Sequence, residues 1–254
     1  METPNFLMTS LAFISLISIN AFSAEVNLNS NPFLEENKPS QGPQVFSFSN
    51  QPERVPDIFN GSSYVELAKQ TQVNGFALVE PDKVIDLTTW IEGFAQYSET
   101  FSRKLKPLIL AEQSDYDQSY LVNNFAADID NLESLISKEF TVKSKNLGGN
   151  FIAGKGWDHL TYIVTHPDYE VVVIEVQAFD ESSGAVMDAD AINYQVKGSP
   201  AILYVLQDKT GNASTQLSWL TPQASYNIQL EKNVNTVALQ SKFNTLVEAI
   251  TPDD

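Results

Sequence analysis

Between residues 160 and 230 the chain carries six short apolar or alternating segments, joined by connectors too short to cross over a sheet. The segments are 160–165, 171–179, 191–196, 201–207, 215–220 and 226–230. Turn signals such as His166-Pro167-Asp168, Lys197-Gly198 and Lys209-Thr210-Gly211-Asn212 separate them. A parallel pair needs a long crossover, so these strands are expected to be antiparallel neighbours. Val171-Val172-Val173-Ile174 and Ala201-Ile202-Leu203-Tyr204-Val205-Leu206 are apolar on both faces, as in strands covered on both sides. Tyr226, Ile228 and Leu230 alternate with Asn227 and Gln229, which predicts that one face of that strand meets water.

Ahead of the strands the period is helical. Val84, Leu87, Trp90, Ile91, Phe94, Tyr97, Phe101 and Leu105 fall at steps of three and four, predicting a helix over 82–106. Pro81 suits its start, Arg103, Lys104 and Lys106 suit its C-terminal end, and Pro107 stops it. Leu121, Phe125, Ile129, Leu132, Ile136 and Phe140 predict a second helix over 115–139, capped by Ser114. A short connector makes the two an αα-hairpin. A last helix over 236–250 carries Leu239, Phe243, Leu246, Val247 and Ile250. The expected fold is α+β: an N-terminal αα-hairpin, an antiparallel β-sheet of about five strands and a closing C-terminal helix.

The first residues read as a targeting segment. Residues 6–22 are apolar and uncharged, and Ala21 and Ser23 are small residues placed for cleavage before Ala24. No Lys or Arg precedes this core, which leaves an uncleaved anchor as the alternative. Removing 1–23 takes away Glu2 alone, leaving 31 acids against 15 bases. Residues 24–60 hold prolines at 32, 39, 43, 52 and 56 and read as a flexible Pro/Asn/Ser-rich arm. Its apolar spots, Val45-Phe46 among them, are able to dock on the body or on a partner. The remainder, 61–254, reads as a single α+β domain, helical over 61–140, with the sheet and C-terminal helix over 141–254. An exported chain without Cys fits a bacterial periplasmic or secreted protein.

Composition narrows the chemistry. The 254 residues hold 32 acids against 15 bases, a net charge of −17, with no Cys and 2 His. Zero Cys excludes disulfides, Cys-ligated metal and thiol nucleophiles. The acidic balance argues against binding nucleic acid, whose phosphates require clustered Lys and Arg. Gly149-Asn150-Phe151-Ile152-Ala153-Gly154-Lys155 has the glycine and lysine spacing of a phosphate-binding loop. However, Gly156 stands where a magnesium-binding Ser or Thr is needed, and Trp157 begins a strand. The stretch therefore reads as a loop joining the helical hairpin to the sheet. With Lys138, Lys143, Lys145 and Lys155 it is the least acidic part of the chain.

His159 and His166 are the available imidazoles. Seven residues apart along one strand, they point to opposite faces, and a shared metal site would need a bulge or a strand end between them. Asp158, Asp168, Glu170 and Glu175 lie nearby in sequence, so a mixed His/carboxylate metal site stays open. Asp188-Ala189-Asp190 puts two carboxylates on one side of an extended segment without the pattern of a calcium loop. No Gly-x-Ser-x-Gly or Ser-x-x-Lys nucleophile motif occurs. Trp90, Trp157 and Trp219 read as core or as the lining of a groove.

The strand after Gly198-Ser199-Pro200, the Leu217-Ser218-Trp219 strand, the Tyr226 strand and the closing helix together resemble the C-terminal module of some bacterial envelope regulators of the anti-sigma type. The resemblance spans about a fifth of the chain and implies a strand–strand–strand–helix module, without a function.

These readings predict an exported, acidic, non-catalytic binding protein that engages a protein partner, a basic one if charge steers the encounter, as an inhibitor or immunity-type protein or an envelope-assembly accessory. No cofactor is called for. Two alternatives stand beside it: a small-molecule or lipid carrier, and a metal-assisted hydrolase using His159 and His166.

Overall fold

The computed structural model describes residues 17–18, 43–50, 64–88, 91, 125–126, 132–152, 155–179 and 184–251. In chain order the elements are β1 (Ile17–Ser18), β2 (Gln44–Phe46), α1 (Tyr64–Asn74), β3 (Ala77–Leu78), α2 (Leu132–Glu139), β4 (Thr141–Ile152), β5 (Gly156–His166), β6 (Glu170–Ala178), β7 (Ala185–Asp188), β8 (Tyr194–Val196), β9 (Ser199–Gln207), β10 (Ala213–Leu220), β11 (Ala224–Leu230) and α3 (Gln240–Ile250). An eight-stranded sheet runs β3-β9-β10-β11-β6-β5-β4, with β8 also on β9. All its pairs are antiparallel except β3 with β9. A second sheet, β1-β7-β2, has three strands.

The turns explain the antiparallel path. Lys197 and Gly198 both take positive φ (47° and 84°), the two-residue hairpin turn whose twist matches the flanking strands β8 and β9. Between β9 and β10, the Asp208 carboxylate accepts from the backbone N–H groups of Thr210 (2.8 Å) and Asn212 (3.0 Å). It also accepts from both of their side chains, closing the loop on itself.

Strand alternation divides the side chains between two faces. One face carries Leu160, Tyr162 and Val164 of β5, Val172, Ile174 and Val176 of β6, Leu217 and Trp219 of β10, and Tyr226, Ile228 and Leu230 of β11. Leu132 and Ile136 of α2 and Phe243, Leu246, Val247 and Ile250 of α3 cover it and complete the main core. Trp219 stacks on Tyr226 with ring centroids 4.9 Å apart. On the opposite face a smaller core gathers Ile202, Tyr204 and Leu206 of β9, Tyr64 and Ala68 of α1, and Ala185, Val186 and Met187 of β7.

Several expectations are corrected. The main sheet has eight strands rather than about five, because β3, β4 and β8 extend it. The stretch read as a loop joining the helical hairpin to the sheet is strand through Ile152, where β4 pairs antiparallel with β5. No helix follows Lys155, which leads directly into β5, and Gly149 lies within β4, so the stretch forms no phosphate cradle. The predicted helix over 82–106 starts late: Pro81–Lys83 is a single 3-10 turn, Val84 is extended, and residues 87, 88 and 91 are helical. The predicted helix over 115–139 is broken, because Phe125 forms a bridge with Trp157 and Ala126 N–H donates to the Trp157 carbonyl at 2.6 Å. Only Leu132–Glu139 of it is helical among the described residues. The rest of the αα-hairpin lies outside the described residues. Within 191–196, Ala191 ends a 3-10 turn and only Tyr194–Val196 is strand.

The described part of the 24–60 arm is bound to the body. Strand β2 pairs parallel with β7, and Phe48 is buried against Tyr64. No helix among the described residues is long and apolar enough to cross a membrane.

Candidate functional site

The strand pairing aligns a second set of side chains on the face away from the main core, and in its middle these are polar. One row crosses five strands as Ser218, Asn227, Glu175, Thr161 and Asn146. A second row runs Ser225, Gln177, His159 and Gly148, and a third begins Gln216, Gln229. Directly opposed residues share a face, so register alone gathers these groups into one layer. Gln216, Ser218, Ser225, Asn227, Gln229, Glu175 and Thr161 are all buried. This overturns the expectation that the Asn227/Gln229 face meets water. The alternation reported the polarity of the face correctly, but not what surrounds it.

Buried polar groups require partners, and Asn227 is the hub. Its amide Nδ2 donates to Glu175 Oε2 at 2.8 Å, while its Oδ1 accepts from Gln216 Nε2 (3.1 Å) and Ser218 Oγ (3.0 Å). Gln229 Nε2 donates to the same Glu175 oxygen at 3.3 Å. On the other side, His159 Nε2 stands 3.7 Å from Glu175 Oε1. With a proton on Nδ1, the ring donates to Gln177 Oε1 at 3.1 Å. Burial opposes charge on this imidazole. Glu175, Gln177 and Asp158 outweigh that opposition and hold its pKa above the ordinary value of 6.5.

Two polar atoms in the layer have no hydrogen-bond partner among the described residues: Thr161 Oγ1 and Gln229 Oε1, both on fully buried residues. Thr161 lies directly across from Glu175, and Gln229 is already in contact with it. The layer is open at one place. The side chains of His159 and Glu175 retain 22% and 11% of their exposure, and the strand position paired with His159 is Gly148.

Beside this opening, the backbone N–H and side-chain amide of Asn150 donate to the buried Asp158 carboxylate at 2.7 and 3.0 Å. Burial pushes the Asp158 carboxyl above its usual range, while Asn150 and His159 pull it back. Gly149 takes φ +76° here, and a Cβ on it would meet Asp158 Oδ1 at 2.0 Å.

The other sequence candidates have different situations. His166 ends β5, with its ring against Phe140 and Tyr169 at centroid distances of 5.6 and 4.8 Å. Its Nδ1 accepts from Asp168 N–H at 3.1 Å. Seven positions of strand, roughly 23 Å, separate it from His159, and the two do not share a site. Asp168 pairs with Lys242 (2.8 Å) and Glu170 with Lys232 (2.8 Å), tying the β5–β6 turn to the C-terminal part of the chain. Asp188 accepts from Tyr64 Oη (2.6 Å), Phe48 N–H (3.1 Å) and Asp190 N–H (3.0 Å). Asp190 accepts from Ser47 and Ser49 hydroxyls at 2.6 and 2.5 Å. These two carboxylates therefore fasten the 43–50 segment. Trp219 is core and Trp157 is the second residue of β5, while Trp90 lies outside the described residues. Among the described residues, no group of three or more His, Asp or Glu side chains converges as a metal site.

Sequence reading singled out His159 and Glu175 but missed Thr161, Asn227 and Gln229 as their companions. The available signal was the polar residue at every second position of 225–229, matched by Gln216 and Ser218 across the next turn. No family model, curated protein or solved structure matches this chain.

Proposed function

We propose that the chain is an exported, acidic binding protein of the bacterial periplasm or exterior, without catalysis of its own, that holds a protein partner. The observation that carries this reading is the place where the polar layer reaches solvent: the partly exposed His159 and Glu175 are held in position by buried amide and hydroxyl neighbours. Side chains locked by strand register and mutual hydrogen bonds lose little entropy on binding, which favours recognition. The net charge of −17 steers basic partners toward the molecule. The test is a pull-down from envelope and culture-supernatant extracts with a bait beginning at Ala24, washed at two salt concentrations. A stoichiometric partner that is lost at high salt supports the reading. No partner at either salt overturns it.

A second reading, a small-molecule carrier, is favoured by a separate open cavity of about 740 Å³ between the 81–86 segment, the β9–β10 loop and the residues after β11. Its lining mixes Val84, Ile85 and Leu239 with Asp86, Asn212 and Asn233. Native mass spectrometry of the purified protein checks it, with a co-purifying small molecule as the expected result.

A further inference from the structure

We infer that the opening between His159 and Gly148 leads to a subsite for a cationic N–H donor, a guanidinium or ammonium group, received by Glu175 with Thr161 as the secondary acceptor. The inference rests on the binding reading above and names the chemistry its site selects.

Three acceptors belong to this part of the layer, and two of them, Glu175 and Thr161, face each other one rung from the opening, while Gln229 lies beyond Glu175 on β11. Glu175 Oε2 takes two amide N–H groups, but Oε1 has only the His159 ring at 3.7 Å, longer than a hydrogen bond. Gln229 Oε1 is a buried acceptor without a partner, and it belongs to the side chain whose amide nitrogen already touches Glu175. Thr161 Oγ1, opposite Glu175, is the third. Leaving such atoms unmet in a desolvated layer is unfavourable. A group rich in donors and carrying positive charge answers Glu175 and Thr161 together, because an ammonium offers three N–H bonds and a guanidinium five.

Access is provided by a missing side chain. Gly148 is paired with His159 on the same face, and no atom of the described residues lies within 4 Å of where its Cβ would stand. Unlike Gly149, it has no positive φ to explain the glycine. The result is open space on β4 beside the partly exposed His159. Lys143 and Lys145 sit elsewhere on β4, and no Lys or Arg among the described residues pairs with Glu175.

The test uses the intact protein, which has only two imidazoles to follow by NMR, assigned with H159Q. Methylguanidinium and an arginine-containing peptide are titrated in at constant ionic strength, with tetramethylammonium, a cation without N–H donors, as control. The expected result is a saturable shift of the His159 resonance with a guanidinium probe and none with tetramethylammonium. Binding should weaken about tenfold or more in E175Q, which removes the charge, and in G148L, which fills the open space. Binding of methylguanidinium as well as peptide identifies a free small amine as sufficient. Binding of the peptide alone identifies a partner's side chain. No saturable shift in the wild type, an equal shift with tetramethylammonium, or full binding by G148L overturns the inference. A pull-down partner retained by both variants would leave the binding-protein reading standing while removing this subsite from it. Conversely, a guanidinium response without any captured protein would keep the subsite and remove the protein partner.

Discussion

Thr161 on β5 lies directly across from Glu175 on β6, fully buried, yet its hydroxyl makes no hydrogen bond among the described residues. The carboxylate is held from the far side, by Asn227 and Gln229 of β11. Strand register brought the two residues together and hydrogen bonding then polarised the layer toward β11. On the β5 side Thr161 was left without a partner, and the layer reaches solvent there at His159.

Asn227 should be the most sensitive polar position in the sheet. Asn227→Ala strips partners from Glu175, Gln216 and Ser218 at once, all of them buried. The expected loss is about 3 kcal/mol in urea unfolding, more than one ordinary hydrogen bond is worth, because the stranded groups stay desolvated. A loss of under about 0.5 kcal/mol would mean that water replaces the amide freely.

His159 makes stability depend on pH with a definite sign. Its folded pKa is raised above 6.5, so the native state holds the proton more tightly than the unfolded chain does. The resulting stabilisation is complete below pH 6.5 and is lost as pH rises through the higher folded value. Asp158, also raised by burial, acts in a window that starts near its ordinary 3.8. The slope removed by His159→Gln therefore isolates the imidazole. Urea midpoints of wild type and variant across pH 5 to 9 should converge toward alkaline pH.

The two adjacent glycines of β4 should respond oppositely to alanine. At Gly149 the new methyl collides with Asp158 Oδ1 and the backbone sits at φ +76°, so Gly149→Ala should cost about 2 kcal/mol or more. At Gly148 there is open space and no positive φ, so Gly148→Ala should be neutral or gain about 0.5 kcal/mol. Equal thermal shifts for the pair would contradict the hairpin geometry.

Asp188 should control the 43–50 segment. It binds the Phe48 N–H, the Tyr64 hydroxyl and the Asp190 N–H. Asp188→Ala is expected to expose the Phe48 amide to hydrogen exchange while the amides of β10 and β11 remain protected. Tyr64→Phe, which removes one charged hydrogen bond, should weaken folding by about 1.5–3 kcal/mol.

Much of the sheet was legible because its signals are local. Period-2 alternation and turn residues located β5, β6, β9, β10 and β11, and Lys197-Gly198 marked a hairpin that its positive φ values then required. The closing helix was legible from its apolar stripe, although its first expected turn lies outside Gln240–Ile250. Strand β4 was not legible. Gly148, Gly149 and three lysines between 138 and 145 imitate a loop, whereas an edge strand tolerates glycine and uses lysine to discourage unwanted pairing. The helix expected through Phe125 failed for a different reason. Its spacing satisfied helical periodicity, but a backbone bridge to Trp157 outweighed that propensity.

Within the candidate site, the sequence by itself determined that Asn227 and Gln229 share one side of their strand, that Glu175 and Gln177 share one side of theirs, and that His159 and His166 face apart. It determined these things because side-chain direction along a strand is fixed by the period of the backbone. Only the tertiary structure decided that β11 lies beside β6, placing Asn227 against Glu175, and that this polar face is buried instead of wet. Both outcomes depend on pairings between strands about fifty residues apart in the chain and on the free energy of the whole packed sheet, to which no single segment holds the key.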